Sequence, residues 1–262
     1  MYQQSGDINN SMPARTDLPA MSWPPLVSPF DAALRLAVGD VLAHYTPFAI
    51  IAAGSVLRGQ GGPTSDIDLY VLHHAPYRQR LQRRYEGVPF EIFINPPQQV
   101  HRYFEDEHAA ARPITAHILT TGFVVLDRDP VVEALRTEAA VWLAKPPAPS
   151  EDVLLWRRYL IADELDNARD IVDTDAACAS LILGSAVSHL VEYAFLAHNQ
   201  HLPRQKESLS ALDALDPVAA ATARAFYAAV DVDRRMNLAT TLATQLTGAI
   251  TFFEWDSAQL PV

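Results

Sequence analysis

The sequence predicts an α+β protein, with a mixed β-sheet in its first half and a helical bundle in its second. Short apolar strands alternate with helical patterns as far as residue 144. A proline-rich stretch, KPPAPSED at residues 145–152, then separates the halves. Beyond it only helical patterns occur, and only two glycines follow Gly122. We therefore expect a flexible tail at 1–28, a first domain at 29–147 and a bundle at 148–262.

The elements of the first domain follow from local patterns. The tail is rich in Pro, Ser, Asn and Gln, which predicts flexibility. After it, apolar side chains recur at helical spacing, or alternate as in strands. The expected helices are Asp31–Tyr45, Pro97–Thr121 with a break near Arg112-Pro113, and Val131–Leu143. The expected strands are PFAIIAA, DIDLYVL, a hairpin within Arg80–Asn95, and FVVLD.

The second half has helical periodicity throughout, and the sequence shows no internal repeat. Four segments carry the pattern, and we expect them to pack as a bundle. They are Asp152–Val172, Ala176–Asn199, Pro217–Val230 and Arg235–Trp255.

Charge and composition limit the partners. The chain of 262 residues has a formal net charge of -11, and the second half carries 16 acidic against 8 basic residues. This balance makes nucleic acid an unlikely partner, because binding phosphates needs a basic surface. It suits a cationic small molecule or simply a solvated acidic surface. Cys178 is the only cysteine, and neither a signal peptide nor an apolar run of about 20 residues is evident. We expect a cytoplasmic protein without a membrane span, either a monomer or a homodimer.

The stretch GSVLRGQGGPTSDIDLYV, from Gly54 to Val71, carries the chemistry. Gly54-Ser55 ends a strand and precedes a short helical turn, where free N–H groups and a hydroxyl can face a phosphate. Asp66 and Asp68 lie two apart on a strand, so their carboxylates share one face. Two like charges that close favour a divalent cation, and hard oxygen ligands favour Mg²⁺. Glu91, on a neighbouring strand, is placed to be a third carboxylate.

This segment resembles the signature of the DNA polymerase β-type nucleotidyltransferase superfamily: Gly-Ser, a spacer, and then Asp-hydrophobic-Asp-hydrophobic. The layout is similar to antibiotic (aminoglycoside and lincosamide) nucleotidyltransferases, whose catalytic domain precedes a helical bundle. The resemblance is specific over about residues 50–95 and architectural beyond. It implies an enzyme that uses an NTP, with ATP expected, and Mg²⁺, with two ions expected.

The resemblance also implies roles for individual residues. Asp66 and Asp68 would bind Mg²⁺, and Glu91 would be either a third ligand or the general base. The triphosphate would be held by residues of the glycine-rich stretch and, from the second half, by the cations of NQHLPRQKESL. This nucleotide-binding set is Gly54, Ser55, Arg58, Ser65, Arg204 and Lys206.

Acceptor-binding residues are expected in the second half. Glu192 lies within the apolar HLVEYAFL and, as a buried acid, needs a partner. Tyr193, Asp163 and His189 complete the expected set, although the aspartate also fits a solvated helix face. The expected acceptor is a small hydroxylated compound such as an aminoglycoside-like antibiotic, which would receive AMP with release of pyrophosphate. The alternatives are a nucleotidyltransferase acting on tRNA or protein, as in toxin–antitoxin systems, and a non-catalytic nucleotide-binding module.

Overall fold

The computed structural model describes residues 21–257 except Pro63, together with Gln259. The chain divides into two compact units. The first comprises the described residues up to Val100 and Ile118–Thr137, and the second comprises His101–His117 and the described residues from Glu138 onward. Residues 101–117 and 138–147 of the predicted first domain thus belong to the second of these units.

The first unit contains a five-stranded mixed sheet. Its strands are β1 (Ala49–Ala53), β2 (Ile67–Leu72), β3 (Gln79–Tyr85), β4 (Val88–Asn95) and β5 (Phe123–Asp127). They lie in the order β3-β4-β2-β1-β5. Only β2 and β4 run parallel, and the other neighbouring pairs are antiparallel. The predicted mixed sheet is therefore confirmed.

Helix α1 (Phe30–His44) covers one face of this sheet. Its buried residues, such as Leu34 and Val41, pack in one cluster with Ile67, Leu69 and Ile92. Because side chains alternate along a strand, the even-numbered residues of β2 point to the other face. The face that carries Asp68 is therefore opposite α1.

The segment that precedes α1 belongs to this unit as far as it is described. Met21 and Trp23 pack against the core cluster, and the Ser22 amide donates a 3.0 Å hydrogen bond to the Val125 carbonyl. Residues 21–28 are thus attached to the sheet, which differs from the predicted flexibility. The rest of the predicted tail, residues 1–20, lies outside the described residues.

Helices make up most of the described part of the second unit. The bundle consists of α5 (Glu151–Ile171), α6 (Ala176–Ala197), α7 (Ser208–Leu215), α8 (Pro217–Ala228) and α9 (Val232–Leu246). Side-chain caps begin four of them: Ser150, Asp175, Asp216 and Asp231 each accept a hydrogen bond from a backbone N–H of the first turn. Helices α2 (Pro97–Ala109), α3 (Ile114–Thr121) and α4 (Val131–Ala144) each contribute residues to both units.

Two details of the bundle differ from the prediction. Helix α9 ends at Leu246 rather than Trp255, because Gly248 takes a left-handed conformation with φ 68° that terminates the helix. Helix α7 lies between the predicted helices Ala176–Asn199 and Pro217–Val230, where no helix was predicted, and its Leu212 is fully buried.

By length and composition, α6 is the one described helix able to span a membrane, although the sequence predicted none. Half of its most apolar window is buried within the protein. Its buried residues, among them Leu183 and Leu190, belong to the hydrophobic core of the second unit. This packing is typical of a core helix.

Candidate active site

The glycine-rich turn brings the Gly-Ser pair against the strand that carries the aspartates. Gly54 has a φ of 110°, a conformation that side chains disfavour. A Cβ at this position would lie 3.1 Å from the Asp66 carbonyl oxygen and 3.6 Å from a carboxylate oxygen of Asp68. A side chain at residue 54 would therefore displace the backbone that positions both aspartates.

Two predicted nucleotide-binding serines lie side by side. The Ser55 hydroxyl donates to the Ser65 hydroxyl over 3.1 Å, and the Ser65 oxygen also accepts the Gly62 amide over 2.8 Å. Ser55 is buried and precedes a single 3₁₀ turn, Val56–Arg58. These contacts fix the loop, and the turn at its start ends with Arg58, the third predicted contact to the phosphates.

The three acids of the predicted catalytic set lie on neighbouring strands. Asp68 on β2 is the register partner of Glu91 on β4, and Asp66 comes immediately before β2. Since side chains two residues apart on a strand share a face, Asp66 and Asp68 lie on the same side as Glu91. Three carboxylates thus come from adjacent positions on the face opposite α1.

The edge strand β3 holds the Glu91 carboxylate in a fixed orientation. Arg80 donates from Nη2 to Glu91 Oε2 over 2.7 Å, and Gln82 donates from Nε2 to Glu91 Oε1 over 2.8 Å. Gln82 is the antiparallel register partner of Glu91, so the contact follows directly from strand pairing. The Arg80 guanidinium also lies 5.0 Å from the centroid of the Phe93 ring. The sequence did not predict these contacts of Arg80 and Gln82, because they depend on how the two strands of the hairpin pair.

An open cleft of about 330 Å³ lies beside these acids. It is lined by Asp66, Gln82, Arg83, Arg84, Pro89, Phe90 and Glu91. Its volume is in the range of small-molecule sites. Two acids of the predicted catalytic set therefore face a space in which a substrate group can bind.

The acid set fits a divalent cation only in part. The donors are hard carboxylate oxygens, and Asp68 and Glu91 are neighbours on paired strands. However, the described residues contain no group of three His, Cys, Asp or Glu side chains arranged to hold a metal ion. Both Glu91 oxygens already accept hydrogen bonds from side chains of β3.

The predicted acceptor residue Glu192, on α6, is held by two arginines of its own unit. Arg112 donates to Oε1 over 2.7 Å and Arg157 to Oε2 over 3.0 Å. The sequence indicated that this acid needs a partner. It could not identify Arg112 and Arg157, because they lie 80 and 35 positions away along the chain. Because both oxygens are paired with guanidinium groups, Glu192 offers no uncompensated charge to an ammonium group.

The other predicted acceptor residues have local partners. His189 Nδ1 lies 2.9 Å from Glu164, whose other oxygen accepts the Ser185 hydroxyl over 2.6 Å. The hydrogen bond to Glu164 raises the pKa of His189, against the lowering effect of burial. Asp163 accepts the Asn167 amide over 3.0 Å, and Tyr193 packs on the hydrophobic core. Glu164 was not predicted, although Asp163 beside it was.

The two predicted cations of the second unit differ in their surroundings. Arg204 lies 2.9 Å from His117 Nε2 and 3.9 Å from Glu207. Lys206 is exposed in the short 3₁₀ turn Gln205–Glu207, and it takes part in no ion pair with the residues that the structure describes. Lys206 therefore keeps its charge available, whereas Arg204 is already engaged.

Comparison with known proteins gives a family match over part of the chain. Residues 35–107 match a family model described as a nucleotidyltransferase domain, and this span contains Gly54, Ser55, Asp66, Asp68 and Glu91. No curated protein matches significantly. Among solved structures, the chain is similar to a nucleotidyltransferase-like protein from Exiguobacterium sibiricum 255-15, at 14% identity and a TM-score of 0.49. The similarity covers 82% of this chain and 73% of that one.

By the family match, the chain carries a nucleotidyltransferase domain and is a transferase. The matched span ends within α2, and most of the second unit lies outside it. The resemblance to antibiotic-modifying branches stays a prediction.

Proposed function

We propose that the protein transfers a nucleoside monophosphate, AMP from ATP, to a hydroxyl group of a small acceptor, with Mg²⁺ as the metal. The observation that supports this proposal is the pairing of Asp68 with Glu91 on neighbouring strands, beside the Gly54-Ser55 turn. All four residues lie within the span that matches a nucleotidyltransferase domain. The acceptor hydroxyl gives up its proton to a base, for which Glu91 is the candidate, and its oxygen forms a bond to the α-phosphorus. The bond from that phosphorus to the β-phosphate oxygen breaks, and pyrophosphate leaves.

The triphosphate is assigned to the glycine-rich turn. Ser55 and Ser65 supply hydroxyl groups, and their mutual hydrogen bond keeps both beside the strand that carries Asp66. The predicted phosphate contact of Lys206 is retained in the proposal, because its ammonium group is exposed. Positioning of this kind accounts for much of catalysis in phosphoryl transfer, where little covalent chemistry is asked of the protein.

Asp66 and Asp68 are the proposed ligands of Mg²⁺. When bound, the ion would neutralise charge on the phosphate oxygens. Glu91 faces the same side of the sheet, and Arg80 with Gln82 restricts its orientation. A carboxylate held in this way is preorganised for the reacting groups.

The acceptor is proposed to be a small hydroxylated compound. The cleft beside Glu91 has a volume suited to a small molecule. The acidic second half is the argument for a cationic antibiotic of the aminoglycoside type. Pairing of Glu192 with Arg112 and Arg157 weakens that argument, because these groups compensate one another.

The test is to incubate the protein with each NTP, Mg²⁺ and a panel of hydroxylated acceptors, and to measure pyrophosphate release and product mass. Asp66→Asn and Asp68→Asn should abolish turnover. Each substitution removes one like charge from the pair, so the fold should be retained. Asp213→Asn, an exposed aspartate of α7, is the matched control and should keep full activity. Turnover retained in both variants would reject the metal assignment.

The panel also separates the alternatives. Labelling of tRNA or of a protein, with no modification of small acceptors, would favour the toxin–antitoxin type of activity. NTP binding without pyrophosphate release from any acceptor would favour a nucleotide-binding module.

A further inference from the structure

Within the part of the chain that the structure describes, two arginines beside the acid set form no ion pair with an acid. Arg83 and Arg84 lie on the edge strand β3 and line the same cleft as Asp66 and Glu91. Among the residues that the structure describes, no carboxylate is within ion-pair distance of either guanidinium, whereas Arg80 on the same strand is paired with Glu91. Among the described residues, neither guanidinium is therefore neutralised by a direct ion pair, although Asp66 and Glu91 line the same cleft.

Backbone contacts restrict both side chains. Arg83 donates from Nη1 to the Gln82 carbonyl over 3.0 Å, and Arg84 donates from Nη1 to the Gly87 carbonyl over 3.0 Å. Each contact uses one part of the guanidinium and leaves its other N–H groups available. Fixed donors lose less conformational entropy when they bind an anion than free side chains do.

Strand register places Arg84 on the side of the acids. Arg84 is the partner of Pro89, which is two residues before Glu91 on β4. Side chains two residues apart share a face, so Arg84 and Glu91 are on the same side of the sheet. Arg83 is the register partner of Phe90 and leaves the strand on the other side, so it lines the cleft from the edge of the sheet. An anion bound here would lie beside the carboxylate that faces the reacting groups.

We propose that Arg84, with Arg83 at the edge of the cleft, binds a phosphate group of the acceptor, so that the substrate is a small phosphorylated alcohol or sugar. This inference rests on the proposed nucleotidyltransferase function. Guanidinium groups match phosphate oxygens in geometry and charge. The cleft volume and the net charge of -11 favour a small molecule over a nucleic acid.

The first experiment measures binding without turnover. Calorimetric titration of the full-length protein with glycerol 3-phosphate and ribose 5-phosphate is compared with titration with glycerol and ribose. In Arg83→Gln/Arg84→Gln, affinity for the phosphorylated probes should fall by about 10- to 100-fold. Arg128→Gln removes a charge just after β5, at the opposite edge of the sheet, and should change nothing. Thermal unfolding checks that all variants are folded.

A second series separates acceptor phosphate from nucleotide phosphate. If the arginines do not contact the nucleotide, the double variant should bind a non-hydrolysable ATP analogue with Mg²⁺ within about twofold of the wild-type affinity. Loss of even one phosphate contact would lower that affinity by far more. If ATP-analogue binding weakens instead, the arginines serve the triphosphate and the proposal is overturned. It is equally overturned if phosphorylated and unphosphorylated probes bind alike, or if a short RNA binds more tightly than either sugar phosphate.

The proposed function can fail separately. If no acceptor releases pyrophosphate but the sugar phosphates still bind through Arg83 and Arg84, the anion site stands and the transfer reaction does not. If an aminoglycoside proves the best acceptor and the double variant is silent, the reaction stands and the phosphate site is rejected.

Discussion

Asp68 on β2 and Glu91 on β4 are direct register partners in the only parallel strand pair of the described sheet. Gln82 faces Glu91 from the edge strand, so one row across three strands runs Gln82, Glu91, Asp68. In this row the Gln82 amide donates a hydrogen bond to Glu91, and Asp68 is the next residue across the sheet. Strand pairing therefore positions two of the three predicted catalytic acids, Asp68 and Glu91, whereas Asp66 lies just before β2.

Arg80 should affect turnover by orienting Glu91. Replacing Arg80 with Gln removes the 2.7 Å contact and should lower kcat by about 10- to 100-fold, the range seen when partners of a reactive carboxylate are lost. Nucleotide affinity should change little. Arg80→Lys keeps a positive charge and should recover part of the activity. The measurement is steady-state pyrophosphate release.

Two controls frame this experiment. Arg128→Gln should behave as wild type, which shows that overall charge is not responsible. Glu91→Gln should lower kcat at least as much as Arg80→Gln, because Glu91 is the group that Arg80 orients. If Arg80→Gln retains wild-type kcat, the contact is structural only.

Lys206 should contribute to NTP binding. It is exposed and takes part in no ion pair with described residues, so its charge is available for phosphates. Lys206→Ala should weaken NTP binding by about 1–3 kcal/mol, as for other charge-assisted contacts. Equilibrium titration with a non-hydrolysable analogue measures the effect. Arg224→Ala, which replaces an exposed arginine of α8, is the control. Equal NTP affinities in the wild type, Lys206→Ala and Arg224→Ala would show that Lys206 is a solvated residue without a role in NTP binding.

Local patterns predicted much of the fold and little of the side-chain pairing. Alternation along DIDLYVL predicted that the Asp66 and Asp68 carboxylates share one face, and in the structure Ile67 and Leu69 are buried on the other. The partners of Glu91 and Glu192 could not be predicted, because they depend on strand register and helix packing between distant residues. The early end of α9 depends on the φ of Gly248, a local cue that the helical periodicity beyond it obscured.

Glu192 should be important for stability. Its carboxylate lies between Arg112 and Arg157 and is only 26% exposed, so Glu192→Gln leaves two guanidinium groups facing each other without an anion. We expect the free energy of unfolding to fall by about 1–2 kcal/mol, between the values for exposed and buried ion pairs. Urea denaturation is the measurement. Asp163→Asn, which loses only a contact with Asn167, is the control.

The predicted acceptor role of Glu192 leads to a different expected result for Glu192→Gln. If Glu192 binds the acceptor directly, Glu192→Gln should raise the acceptor KM and leave stability unchanged. A loss of stability with an unchanged acceptor KM would assign Glu192 to the bundle alone.

His189 should make stability depend on pH. Its hydrogen bond with Glu164 raises the pKa of the folded-state imidazole above the ordinary value of 6.5, with smaller opposing effects from burial and Arg157 and a supporting one from Glu192. A raised folded-state pKa means that the protonated ring stabilises the fold. This contribution is complete below pH 6.5 and disappears as the pH rises through the folded-state pKa. His189→Gln should therefore lower the urea midpoint more at about pH 5.5 than at about pH 9. In a Glu164→Gln background that difference should vanish, since the carboxylate that favours the charged ring is gone. A His189→Gln effect of equal size at both pH values would show that the contact stabilises the protein without any coupling to protonation.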